Sequence, residues 1–155
     1  MENIETVSLD LIHKIRLHIN RTEKQAALLV NRQKWDRLTS ALYVLEDTSC
    51  AIEYYLKSEY PDDVGGKYLY TYGLVQALYV QEDAIDSLSY ALFDKNIDFK
   101  NEYPQAYAVR EMRNDVVATQ LTADQMFVSI WRNTLYRKTA FTIPKMMLVR
   151  KLVKL

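Results

Sequence analysis

One row of residues constrains this chain more than any other feature. Trp35, Leu38, Leu42, Leu45, Ser49, Ile52 and Leu56 recur at alternating spacings of three and four. That period places all of them on one face of a helix. Lys34, Asp36, Arg37, Glu46, Asp47 and Glu53 fall on its other faces. A helix divided in this way must bury the row against other helices, because each fully buried leucine contributes roughly 1.5–3 kcal/mol. Core packing accounts for the Trp/Leu row more simply than a cofactor box does. A second row, Leu74, Leu78, Gln81, Ile85, Leu88 and Leu92, has the same period and supplies a partner.

The remaining segments fit a helical bundle around that pair. Only three Gly and three Pro occur in 155 residues, too few for the many turns of an all-β domain. Ile4, Val7, Leu11/Ile12, Ile15 and Ile19 form the apolar stripe of a first helix over 4–19. "INRTEKQ" interrupts it. Thr22 followed by Gln25 has the form of a capping box, so a second helix is expected from about residue 23. "YPDDVGGKY", residues 60–68, ends that helix: Pro61 cannot continue it and Gly65-Gly66 allow positive φ. A third helix is expected over about 68–92 and a loop over 94–104. Pro104 suits the first turn of a fourth helix over about 104–118, with Asn101 or Tyr103 near its cap and Val109, Met112 and Val116 as its stripe. After residue 122 the texture changes. "MFVSIWRNTLYRKTAFTI" is rich in β-branched and aromatic residues, with Arg132-Asn133-Thr134 as a turn. The expected fold is therefore a single domain over 1–155. It is all-α and four-helix-bundle-like, with a helical body over about 4–120. A small C-terminal β-hairpin and a basic tail occupy about 123–155.

The charge is unevenly spread. Twenty basic and twenty acidic side chains cancel overall. Residues 132–155 nevertheless carry seven basic side chains and no acidic one, which leaves residues 1–131 with 13 basic against 20 acidic. Such a tail can touch RNA or DNA phosphates, dock on its own acidic body, or dock on a second subunit. The single cysteine, Cys50, lies within a helical apolar pattern and is expected to be a small buried hydrophobe. No CxxC, Cys/His or ExxH spacing suggests a metal or cofactor. No apolar run approaches the roughly 18 residues of a membrane span, and no leader-like apolar segment opens the chain, so a cytoplasmic protein is expected.

Two polar groups interrupt the apolar rows. Gln81 stands in the second row, where its amide needs hydrogen-bond partners, and Glu82, Asp83 and Asp86 form an acidic patch beside it. The stretch "EMRNDVVATQL", residues 111–121, brings Arg113, Asn114 and Asp115 together near the end of the fourth helix. A guanidinium is fork-shaped and permanently charged, which suits phosphate. The plainer alternatives are a solvated helix arginine, an ion pair of Asp115 with Arg110 or Arg113, and a solvated acidic face. RNA cleavage would also need a proton shuttle near pH 7. The only histidines, His13 and His18, lie on the first helix. The twelve tyrosines could stack bases, although packing within the bundle explains them more simply.

This combination resembles the HEPN superfamily (higher eukaryotes and prokaryotes nucleotide-binding domains). The resemblance rests on Arg113-Asn114 and on the stretches "WDRLTSALYVLEDTSCAIEYY", "YLYTYGLVQALYVQEDAIDSL" and "FVSIWRNTLYRKTAFTI". It spans most of residues 30–143. It implies a helical bundle that dimerises through its third and fourth helices, with Arg113 and Asn114 at the catalytic positions and Glu82, Asp83, Asp86 and Asp115 as binding residues. An acid from another helix, Glu82, Asp83 or Asp86, would partner Arg113 across the bundle. Thr119 stands where the family signature has histidine. Threonine has no proton to exchange near neutral pH, so the resemblance implies a catalytically degenerate protein. Its expected role is a nucleic-acid-binding or regulatory module in a bacterial defence or toxin–antitoxin-like system, with RNA and an antitoxin-like protein as partners and no cofactor. The alternatives are an active metal-independent ribonuclease that recruits His13 or His18, and a structural dimerisation bundle without a ligand.

Overall fold

A computed structural model of the protein describes residues 4–118 together with Gln125. The described residues form helices without strands: α1 (Ile4–Ile19), α2 (Thr22–Leu29), α3 (Arg32–Lys57), α4 (Val64–Phe93), α5 (Phe99–Glu102) and α6 (Pro104–Ala118). Apart from Gln125, which is helical and exposed, the expected β-hairpin and basic tail lie outside the described residues.

The two 3/4 rows meet as their period requires. Leu38, Leu42, Leu45 and Ile52 of α3 are buried, as are Leu74, Ile85 and Leu88 of α4. Ile12, Ile15 and Ile19 of α1 join Leu38, Leu42, Leu45, Ile85 and Leu88 in one core cluster. Phe99 of α5 closes the same cluster, with Tyr103, Ala106 and Tyr107 packed on it from the start of α6. Gln81 is buried in this row, and its Nε2 donates to Thr48 Oγ1 and Ser49 Oγ at 3.4 Å each. The long contacts satisfy the amide weakly. Arg16 on α1 pairs with Glu46 of α3 at 2.6 Å and lies over the Tyr43 ring.

The expected loop over 94–104 contains the short helix α5, and two further boundaries differ from expectation. The expected second helix is two helices, broken at Val30-Asn31. Arg21, not Thr22, occupies the cap position of α2 and makes no side-chain cap bond. Asn31 is extended, and its side-chain oxygen accepts from the Lys34 N–H at 3.1 Å. A good cap at Asn31 therefore outcompetes continuity, and α2 buries no residue that would hold the two helices in line. The second difference is the start of the next helix. Gly65 and Gly66 belong to the first turn of α4, and neither has positive φ. Asp63 caps that turn by accepting from the Gly66 N–H at 2.7 Å. A Cβ on Gly66 would lie 2.6 Å from Asp63 Oδ2 and 2.9 Å from the Pro61 side chain. Gly66 is thus needed for the close approach of the cap, not for its backbone angles. The α3–α4 connection is closed by Tyr70, whose hydroxyl donates to the Tyr55 carbonyl at 2.6 Å and the Ser58 carbonyl at 3.2 Å.

The connection from α4 to α5 is held by α4 itself. Asp94 ends α4 in the left-handed region, φ 54°, where aspartate is tolerated. Ser89 Oγ donates to the Lys95 carbonyl at 2.7 Å, and Asp86 Oδ1 accepts from the Ile97 N–H at 2.7 Å. Lys34, at the start of α3, pairs with Asp94. This corner turns the chain back, and α6 then runs antiparallel to α4.

Candidate functional site

Two of the expected acids, Glu82 and Asp83, and one expected arginine, Arg113, lie where α6 crosses α4. Tyr79, Glu82, Asp83 and Asp86 are spaced by three and four on α4, so they share the side that faces α6. Arg110 and Arg113 are one turn apart on α6 and point back at them. Arg110 Nε donates to Glu82 Oε1 at 3.0 Å, and its Nη2 donates to Asp83 Oδ1 at 2.6 Å. The Arg113 guanidinium carbon lies 4.4 Å from the centroid of the Tyr79 ring, and that of Arg110 lies 4.8 Å from it. One tyrosine ring therefore carries two guanidinium groups, an arrangement in which each cation gains from the ring quadrupole.

The acids share the work unequally. Glu82 is buried, with only 5% of its side chain exposed, and among the described residues no atom hydrogen-bonds to its Oε2. Burial pushes its carboxyl above the ordinary range. Arg110 pulls it back down, while Asp83 and Asp86 push it further up. Burial also works against the charge of Arg110, but its bonds to Asp83 and Glu82 and their negative charge outweigh it and raise that guanidinium above its ordinary value. Asp86 is committed to the Ile97 N–H and serves the corner rather than the cluster.

The arginine that pairs with the acidic patch is thus Arg110, where Arg113 was one expected partner. The two arginines lie one turn apart, so helical spacing cannot tell which of them reaches Glu82. Tyr79, the ring beneath both, was not singled out as a site residue. Its signal was its place one turn before Glu82 and Asp83. Arg113 is half-buried, and among the described residues its enclosed Nε has no hydrogen-bond partner and no carboxylate pairs with it. Asn114 is exposed. The side chain of Asp115 and all of Thr119 lie outside the described residues, as do the side chains of Val109, Met112 and Val116.

The histidines sit elsewhere. α1, which carries His13 and His18, packs on α3 and α2, whereas α6 packs on α4 and α5. His13 is exposed. Cys50 is exposed on the outer side of α3 and is not the buried hydrophobe expected of it. Its position falls one residue past Ser49 of the buried row, about 100° around the helix. Among the described residues no group of three His, Cys, Asp or Glu side chains could hold a metal ion, and no helix is long and apolar enough to cross a membrane.

No family model, curated protein or solved structure matches this chain.

Proposed function

We propose that this protein is a HEPN-like, catalytically degenerate module that binds nucleic-acid phosphate through Arg113. The observation that carries the reading is the division of labour between the two arginines. Glu82 and Asp83 take up the charge of Arg110. Arg113 lies over Tyr79, its Nε unpartnered among the described residues. A guanidinium oriented by a ring, with no carboxylate on it among the described residues, is set to donate to a phosphate oxygen without first breaking an ion pair. Binding is favoured over cleavage because Thr119 offers no proton near neutral pH and both histidines lie on α1, which packs chiefly on α3 and α2. In this reading two chains pair through α4 and α6. The module then acts in a defence or toxin–antitoxin-like setting, with RNA and a protein partner.

The test is binding and cleavage of a mixed RNA pool by the purified protein beside Arg113→Ala and Arg113→Lys. Binding without cleavage is expected, with Arg113→Ala weakened at least about tenfold, a loss of roughly 1.4 kcal/mol. Arg113→Lys keeps the charge but loses the fork, and is expected to fall between the two. Cleavage by the parent that Arg113→Ala abolishes would establish the ribonuclease instead. Binding that is absent, or indifferent to both variants, would leave a dimerisation bundle in which Arg113 only packs on Tyr79.

A further inference from the structure

The bend between α2 and α3 rests on one residue. Val30, which ends α2, has right-handed helical angles (φ −54°, ψ −35°), and α3 begins at Arg32. Asn31 between them is extended (φ −112°, ψ 94°). Its side-chain cap on the Lys34 N–H, at an exposed position, favours that conformation. No Gly or Pro occurs in residues 4–60, so the sequence itself permits one unbroken helix here. Returning Asn31 to helical angles joins Thr22 to Lys57 in a single rod about 54 Å long.

The bent form leaves apolar side chains in water. α2 buries no residue, Leu29 is 42% exposed and Val30 is 88% exposed. Carried backward, the phase of α3 gives two of its residues another place. Val30 stands eleven residues before Ala41, and Ala27 eleven before Leu38, which puts each within about 20° of the same line. Ala41 and Leu38 are buried. A straight helix therefore continues the buried row of α3 with Ala27 and Val30.

Straightening also carries α1 away from its seat. α1 packs chiefly on α3 and α2, and it buries Ile12, Ile15 and Ile19 in the core. Its Arg16 pairs with Glu46 at 2.6 Å and lies 4.3 Å from the centroid of the Tyr43 ring. One chain alone would lose all of this. Two chains lose none of it, because each α1 fits the seat that the other has vacated. Two Asn31 caps and the entropy of association then stand against two unbroken helices and the burial that Ala27 and Val30 gain.

We propose that Asn31 is a hinge and that α1–α2 exchanges between two copies of this chain, each α1 seated on the α3 of the other. The occupant is a second copy because the vacated seat is complementary to α1 itself. The exchange uses no residue of the α4–α6 crossing and stands apart from the phosphate reading.

Two variants push the hinge in opposite directions. Asn31→Ala removes the cap and favours the straight helix. Arg32→Pro favours the bend: proline suits the first residue of a helix, and it keeps the residue before it extended, as Asn31 already is. Both side chains are exposed, so the core is untouched. Each full-length chain is refolded from urea at rising concentration and sized by light scattering. A lost cap shifts the balance roughly fivefold per chain, so Asn31→Ala should raise the dimerisation constant at least about tenfold. Arg32→Pro should lower it at least about tenfold, since proline breaks the continuous helix. The origin of each α1 is read from a refolded mixture of isotope-labelled and unlabelled chains carrying Arg16→Lys, which lets a carbodiimide couple position 16 to Glu46. In the dimer, coupled peptides should join labelled to unlabelled chain; in the monomer they should not. A dimer whose coupled peptides all come from single chains would overturn the proposal and assign the pairing to another surface. So would a dimerisation constant indifferent to both variants, or an Asn31→Ala chain that stays monomeric throughout.

Discussion

Replacing Arg110 with alanine tests the electrostatics of the α4–α6 crossing. The substitution strips Glu82 of its only described hydrogen-bond donor and leaves a carboxyl that is 5% exposed. Removing one member of a buried ion pair typically costs about 3–5 kcal/mol. Two features lower that figure here. Arg110 is 32% exposed and Asp83 is 48% exposed, so water screens the Arg110–Asp83 arm and little of it counts. Glu82 can also escape by taking up a proton. A loss of about 1.5–3 kcal/mol at pH 7 is therefore expected. The pH dependence follows from the direction of the Glu82 shift. Burial raises its carboxyl in the folded state, so the folded protein holds this proton at pH values where the unfolded chain has released it. The associated stability is complete below the ordinary carboxyl range and is lost as pH rises through the raised value. Arg110 opposes that shift, so its removal raises the carboxyl further. The penalty of Arg110→Ala should accordingly be larger at pH 7 than at pH 5. Urea unfolding followed by far-ultraviolet circular dichroism at the two pH values reads both quantities. A loss below about 0.5 kcal/mol, or one of equal size at both pH values, would refute a buried Glu82 held by Arg110.

Two glycines of α4 should move stability in opposite directions. Gly73→Ala meets nothing within 4 Å and should stabilise the protein by about 0.5–1 kcal/mol. Gly66→Ala should destabilise it by about 1–3 kcal/mol despite the better helix former, because the new Cβ displaces the Asp63 cap. Equal midpoints in urea for the two variants would contradict this account of the cap. Leu42→Ala, at a site 1% exposed where α1, α3 and α4 meet, should cost about 2–5 kcal/mol in the same assay. A cost under about 1 kcal/mol would place Leu42 outside the core.

The helices were legible wherever apolar residues kept a strict period. α1, the body of α3, α4 and the extent of α6 follow directly from such rows. The break at Val30-Asn31 carried a weaker signal, since neither Gly nor Pro marks it and Thr22-Gln25 offered a competing cap. Asn31 was the readable clue, because asparagine gives its best energy outside a helix end rather than within one. Gly65-Gly66 misled for the opposite reason. A glycine pair usually marks a loop, but here an aspartate two residues earlier folds over the helix start and needs the space. At the site, the sequence located the acids and the arginines on their helices and could go no further. Which arginine reaches Glu82 depends on the rotation of α6 about its axis, and Cys50 faces outward through a similar one-residue matter of phase.

That rotation is fixed at the corner between α4 and α5. Ser89 and Asp86 hold the backbone of Lys95 and Ile97, so residues 94–98 act as a mechanical coupling with a set count. Substitutions in this connection leave the count intact. Deleting or inserting one residue would turn every later helical position by about 100° unless the loop absorbed it. Arg110 would then swing off Glu82 and Asp83, and Arg113 off Tyr79, with no site residue altered. In related chains, length here should vary far less than identity.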